Sequence, residues 1–333
     1  MKIFIVGDYR TGTGPANVTK SYLNYLPENT LRLEHSSKAA RALEIIWKLP
    51  QADIVVCSGH SVQNILALKW ARICHKPTAF LMHGCVEHEN AINGVPDAIM
   101  NETERETLQL TDAILAVSGR FADWLREHYP EYMEKIDCVP NGVDWADLQA
   151  LKADTPRSEY QLMSIGGGMP RKMIRYICEA VERLNKTAET PYSLVVIGDV
   201  GFDTNEINRY PFVRNEGIVP FDRTVQLLHA SKLFIQNSSF ETFGLAPLEA
   251  LACGCDLLLS DCIGAIEVFS EVKEEDLIQD YSNSEEIAEK IEHLMKRGNH
   301  ERLGQSIDKE STSWESRTKQ LLEKLEQIKE KKS

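Results

Sequence analysis

Short apolar runs alternate with amphipathic stretches along almost the whole chain. In the first half the runs lie at residues 2–7, 52–57, 78–82, 113–117 and 136–139. They are continuous rather than alternating, the pattern of strands covered on both faces. Between them, residues 38–48, 62–74 and 120–128 carry apolar positions at helical spacing. The rhythm pauses at Val139-Pro140-Asn141-Gly142, where Pro-Asn-Gly is turn chemistry, and from there to about Ser158 the chain is polar and at most helical. A second series follows, with strands expected at 160–165, 193–197, 213–218, 232–236 and 256–259 and helices at 173–185, 224–230, 245–253 and 285–296. Residues 314–332 read as a charged helix with Leu321, Leu322, Leu325 and Ile328 on one stripe.

Strand–helix alternation of this kind predicts parallel sheets covered by helices on both faces. The reading is an α/β protein of two Rossmann-like, doubly wound domains, one over residues 1–145 and one over 146–312, with a terminal helix at 313–333. A chain of 333 residues, 43% of them hydrophobic, is long enough for two such cores.

Charge narrows the partners. The formal net charge is −13, spread over both halves: residues 1–150 hold 14 Lys+Arg against 19 Asp+Glu. Such a balance disfavours general binding to nucleic acid, and it gives association with a membrane face no support. MKIFIVGD lacks the long apolar region of a signal peptide and reads as a first strand, and no apolar run is long enough to span a bilayer. The expectation is a cytoplasmic protein, with a peripheral place at the inner membrane face left open. Its eight cysteines are scattered and expected to be reduced, and Cys253-Gly254-Cys255 lacks a second pair at zinc spacing.

The richest stretch is SSFETFGLAPLEALACGC, which follows the expected strand 232–236. Glu241 falls on the loop at the strand's carboxyl end, and Glu249 falls in the helix after it. Helix-start N–H groups there offer an anion site, and two carboxylates can accept hydroxyls from two sugar rings. The second domain opens with Ser164-Ile-Gly-Gly-Gly-Met-Pro-Arg-Lys172, three glycines and then two cations, a layout suited to a diphosphate. The first domain has its own glycine loop, Asp8-Tyr-Arg-Thr-Gly12-Thr-Gly14-Pro-Ala-Asn17. A dinucleotide reading with Glu34 at the ribose fits poorly, because Asn17 stands in the third glycine's place. His83 closes the strand at 78–82. Cys85 and His88, beside Glu87 and Glu89, do not have zinc spacing, so no metal is expected.

Glu241-x7-Glu249 with Phe243-Gly244-Leu245 inside it resembles the retaining glycosyltransferases of family 4, which have the GT-B fold. The resemblance covers nearly the whole chain and is strongest from Gly166 to Glu267. It implies two Rossmann-like domains facing across a cleft, the first for an acceptor and the second for a nucleotide-sugar, with the terminal helix crossing back to the first domain. It implies transfer of a hexose or N-acetylhexosamine from a nucleotide-sugar, UDP being the commonest carrier, with no further cofactor. The implied acceptor is a hydroxyl on a glycan, lipid-linked glycan, protein or small molecule, within glycan or glycoconjugate synthesis. The implied catalytic residues are Glu241, His83 and Lys172. Donor binding falls to Gly14, Gly167, Arg171, Lys172, Phe243, Gly244, Leu245 and Glu249. Weaker matches are Gly12, Asp199, Gly217 to Pro220, Ser118 and Asn141 to Asp144. One departure stands out: Gly167 occupies the place of the family's usual arginine, leaving Arg171 as a substitute. Two other readings stay open, a non-catalytic GT-B partner of another transferase and a GT-B nucleotide-sugar epimerase.

Overall fold

The computed structural model describes residues 1–150 and 156–332. The expected polar stretch after the Pro-Asn-Gly turn therefore lies partly outside the described residues. The chain forms two compact units. Unit 1 comprises residues 1–91 and 95–142 with the chain from Glu310 onward; unit 2 comprises 92–94 and 143–309.

Among the described residues each unit carries one six-stranded, all-parallel sheet. In unit 1 the strands are β1 (Ile3–Gly7), β2 (Leu31–Arg32), β3 (Ile54–Ser58), β4 (Thr78–Met82), β5 (Ala113–Ala116) and β6 (Ile136–Cys138), in the order β2-β1-β3-β4-β5-β6. The central strands are buried along their whole length, which explains their unbroken apolar sequence. The helices are α1 (Gly14–Tyr25), α2 (Lys38–Lys48), α3 (Gln63–Ile73), α4 (Val86–Ile92), α5 (Ala98–Leu110) and α6 (Gly119–His128). Right-handed crossovers place α2 and α3 on the face opposite α1, because the chain steps outward from β1 to β2 and then back across β1 to β3 and β4.

In unit 2 the helix α7 (Trp145–Ala150) precedes β7 (Ser158–Ile165), α8 (Ile174–Asn185), β8 (Ser193–Ile197), α9 (Thr204–Ile207), β9 (Val213–Gly217), α10 (Phe221–Ala230), β10 (Ser231–Gln236), α11 (Ala246–Ala252), β11 (Asp256–Ser260), β12 (Leu277–Ile278), α12 (Ser284–Arg297) and α13 (His300–Gln305). The strand order is β12-β11-β10-β7-β8-β9. Its core joins α8 and α12 to the sheet through Ile177, Val181, Leu194, Ile235, Leu258 and Ile291, all fully buried. The last helix, α14 (Trp314–Lys332), packs within unit 1 against α1, burying Trp314, Thr318, Leu321 and Leu325. The Trp314 ring meets Tyr22 edge-on at 5.0 Å.

Each sheet has a switch point. In unit 1 the chain leaves β1 toward one edge and β3 toward the other. In unit 2 it leaves β10 toward one edge and β7 toward the other. Loops diverge there, so a crevice opens at the carboxyl ends of those two strands. Gly12 and Gly14, the Gly166–Lys172 run and Glu241 fall on three of these four loops, and His83 follows the neighbouring strand β4.

Candidate active site

In unit 2 the loops after β7 and β10 bring Lys172, Arg171 and Glu241 together. The Lys172 ammonium donates to Glu241 Oε2. Arg171 NH1 lies 3.8 Å from the same oxygen and donates to the Phe240 carbonyl at 3.3 Å. Gln236 Nε2, at the last residue of β10, donates to Glu241 Oε2 at 3.0 Å. All three charged side chains are at most 14% exposed. Burial alone would raise the Glu241 carboxyl. Lys172, Arg171 and the Phe243 N–H outweigh it and hold the carboxyl below its ordinary range, so Glu241 is ionised at neutral pH. One carboxylate against two cations leaves this crevice with an excess of positive charge, complementary to a diphosphate.

Gly244 follows with φ of +85°, which favours glycine, and Phe243 is buried beneath the loop with its carbonyl accepting from Ala265 N–H at 2.7 Å. Leu245 is the N-cap of α11, and Glu249 lies one turn into that helix. No side chain among the described residues bonds to the Glu249 carboxyl, and burial pushes it up to about 7.

The glycine run after β7 packs closely against the end of β8. The Gly166 and Gly167 N–H groups donate to the Ile197 carbonyl at 2.8 and 2.9 Å, and Gly168 N–H donates to Asp199 at 2.9 Å. A Cβ at Gly167 would sit 2.0 Å from the Asp199 carbonyl oxygen. These glycines let two backbone segments touch. The Gly167 N–H is thus committed within the fold. Gly167→Ala, with φ of +56° and a backbone clash, is expected to lower unfolding free energy by about 3 kcal/mol or more, read by urea denaturation.

In unit 1 the loops after β1 and β3 border a cavity of about 250 Å³, lined by Asp8, Thr13, Arg41, Ser58, His60 and Gln63 among others. Ser58 joins this cavity to His83: Thr19 Oγ1 and Ser58 Oγ lie 2.8 Å apart, and Ser58 Oγ lies 3.0 Å from His83 Nε2. Burial lowers the His83 pKa to about 4, so the ring is neutral at physiological pH. Gly12 has φ of +75°, and Gly14 opens α1; a Cβ on either would meet nothing within 4 Å. Their missing side chains thus keep open space next to the cavity. The His88 ring lies tilted against Trp124 and edge-on to His128, at ring-centroid distances of 4.8 and 6.2 Å. Among the described residues no group of three or more His, Cys, Asp and Glu is placed to hold a metal.

Comparison with known proteins decides the family. Residues 8–146 match the model for Glycosyltransferase Family 4, and residues 149–310 match that for Glycosyl transferases group 1. The chain belongs to the family 4 glycosyltransferases. It is 26% identical over 194 residues to an O-antigen chain mannosyltransferase B of Escherichia coli, covering 52% of this chain and 49% of that protein. The chain thus spans about half the length of that curated relative. Anabaena HepE, solved with UDP and glucose, superposes with a TM-score of 0.71 at 14% identity, covering 98% of this chain and 100% of that one. Sucrose-phosphate synthase of Thermosynechococcus elongatus gives 0.66 at 14% identity, covering 98% and 99%. At these identities the two structures establish the fold, which is GT-B.

Against the family pattern, the structure adds residues that sequence reasoning did not single out. Gln236 fixes the Glu241 carboxylate, and Asn237, fully buried, donates to the Tyr281 carbonyl at 2.7 Å. The signal was present: QNSS is a polar run ending an apolar strand. Glu104 of α5 accepts from the Val86 and Glu87 N–H groups at 2.9 and 3.0 Å, anchoring the segment just after His83. Nothing local in the sequence marks that pairing, because the partners are 18 and 17 residues apart.

Glu249 allows a pH test. Its carboxyl is raised in the fold, so its contribution to stability is present below about pH 4.5 and is lost as pH rises through about 7. Glu249→Gln is therefore expected to stabilise the protein at pH 8 by about 2 kcal/mol, less than the full shift because the side chain is only partly buried, and to change nothing at pH 4. Thermal melts at the two pH values read this difference.

Proposed function

We propose that this protein is a retaining glycosyltransferase that moves a hexose or N-acetylhexosamine from a nucleotide-sugar, UDP-linked, to an acceptor hydroxyl in glycan or glycoconjugate synthesis. The observation that carries the reading is the Glu241 carboxylate held ionised by Lys172 and Arg171 and hydrogen-bonded by Gln236 at the switch point of unit 2. Family membership supports it, as does the UDP-sugar bound to HepE. Arg171, beside Glu241, supplies the positive charge that Gly167 does not.

In this reading Glu241 accepts from hydroxyls of the donor sugar and Glu249 from the ribose. Lys172 and Arg171 face the diphosphate, where negative charge grows as the sugar departs. The bond from the anomeric carbon to the phosphate oxygen breaks, and its electron pair leaves with the diphosphate. The acceptor oxygen bonds to the same face of that carbon, and its proton passes to the leaving phosphate oxygen. Neutral His83 hydrogen-bonds a sugar hydroxyl without taking up charge. The cavity of unit 1 serves the acceptor.

Incubating the protein with a panel of labelled nucleotide-sugars, with and without glycan acceptors, tests the proposal. Transfer, or slow donor hydrolysis, is expected from a UDP-sugar. Binding without turnover of any donor favours a non-catalytic partner, conversion to an isomeric nucleotide-sugar favours an epimerase, and either result overturns the transferase reading.

A further inference from the structure

A line of hydrogen bonds runs through unit 1 from the first turn of α1 to the end of β4. It starts inside the helix: Thr19 Oγ1 donates at 2.8 Å to the carbonyl of Pro15, four residues earlier, a back-bond open to helical threonines. Thr19 Oγ1 lies 2.8 Å from Ser58 Oγ at the end of β3, and Ser58 Oγ lies 3.0 Å from His83 Nε2 just past β4. Thr19 and Ser58 are 2% and 5% exposed, so water does not compete for either hydroxyl. Two glycines seat the line. A Cβ at Gly7, which pairs with Ser58 across the sheet, would lie 2.9 Å from the Ser58 Cβ. A Cβ at Gly59 would lie 3.3 Å from His83 Cδ2, so the Nε2–Cδ2 edge of the ring is packed inward. Nδ1 is on the opposite edge.

Each hydroxyl has one proton, and this fixes the direction of every link. The Pro15 carbonyl can only accept, so the Thr19 proton is committed to it. Ser58 is then the donor to Thr19 and turns a lone pair toward His83. The proton between Ser58 and the ring therefore sits on Nε2. Reversing any one link would set lone pair against lone pair in a buried place, losing a hydrogen bond where water cannot replace it. Burial keeps the ring neutral at physiological pH, so a ring with a proton on Nε2 has none on Nδ1.

We infer that Thr19 and Ser58 are positioning residues that lock His83 as its Nε2–H tautomer, so that the ring receives a hydrogen bond from a sugar hydroxyl through Nδ1 and gives none. The opposite tautomer would present an N–H there and select an acceptor atom on the substrate instead. The use of Nδ1 by a sugar rests on the transferase reading above; the tautomer itself does not.

Nitrogen NMR of the whole protein with isotope-labelled histidine reads the tautomer directly, because protonated and unprotonated ring nitrogens resonate far apart. His83→Gln assigns the signals by their loss. At neutral pH the wild type is expected to show Nε2 protonated and Nδ1 unprotonated. Thr19→Val keeps the shape but removes the acceptor for the Ser58 proton, which then turns to His83. The ratio of Nε2–H to Nδ1–H tautomer is expected to fall about tenfold. Thr19→Ser is expected to keep the wild-type ratio, and in a Ser58→Ala background Thr19→Val no longer changes it. Transfer from a UDP-sugar, measured on the same proteins, is expected to lose about tenfold in kcat/KM with Thr19→Val and to regain it with Thr19→Ser. Thermal midpoints show which variants fold, and Thr19→Ala serves if Thr19→Val does not. A wild-type ring protonated on Nδ1 or on both nitrogens, an unmoved ratio in the folded variant, or a shift that survives in the Ser58→Ala background overturns the inference. So does a moved ratio with transfer unchanged. Absence of transfer by the wild type overturns the transferase reading instead and leaves the tautomer result standing by itself.

Discussion

Glu241→Ala protein is expected to lose sugar transfer by about three orders of magnitude, as befits removal of a buried group that meets the reacting sugar. The loss has two parts. The donor hydroxyls lose their acceptor, and Lys172 and Arg171 lose the carboxylate that holds them, each being at most 14% exposed. Uncompensated buried cations destabilise a fold by about 3 kcal/mol, so the variant should also melt earlier. A nucleoside diphosphate restores negative charge to the same place. The thermal midpoint of the variant should therefore rise more on adding UDP than that of the wild type, and this separates loss of the site from loss of the fold. Transfer near the wild-type rate by folded variant protein contradicts the role given to Glu241.

Lys172→Ala carries the second large effect. It is expected to weaken donor binding and lower turnover together, by about a hundredfold in kcat/KM, because the ammonium faces both the bound diphosphate and the charge it gains on departure. It also alters pH dependence. In the wild type Lys172 is the foremost group holding the Glu241 carboxyl below its ordinary value against burial. Without it, burial dominates and the carboxyl moves up. Stability conferred by a lowered carboxyl is present above its unfolded pKa and is lost as pH falls through its folded one. In the variant that loss should begin at higher pH, and the acid limb of the rate profile should move up with it. A profile that keeps its acid limb in place while kcat/KM falls means that Lys172 does not govern the ionisation of Glu241.

Periodicity made the fold legible. Thr78–Met82, Ser193–Ile197, Lys38–Lys48 and Trp314–Lys332 begin and end where the hydrophobic pattern places them. The two-residue edge strands β2 and β12 were not foreseen, because Leu31–Arg32 and Leu277–Ile278 are too short to show a period and exist only through pairing with β1 and β11. The pattern also identified α2 as amphipathic without saying which face turns inward. Glu44 is drawn inside by Lys48, one turn along the same helix, and by the Glu34 and His35 N–H groups, which only the folded chain brings to it. At the site, ETFGLAPLE carried its own meaning because its parts are local. The use of Gly167 did not, since it depends on the carboxyl end of β8, about thirty residues away in sequence.

The central claim is that the crevice built by Lys172, Arg171 and Glu241 grips a nucleoside diphosphate. Isothermal titration of UDP, GDP and ADP into wild-type and Lys172→Ala protein tests it most directly. The account predicts saturable binding of one of the three, UDP foremost, weakened in the variant by about tenfold or more. Binding of none of them by the folded wild type, or equal affinity in the variant, contradicts it.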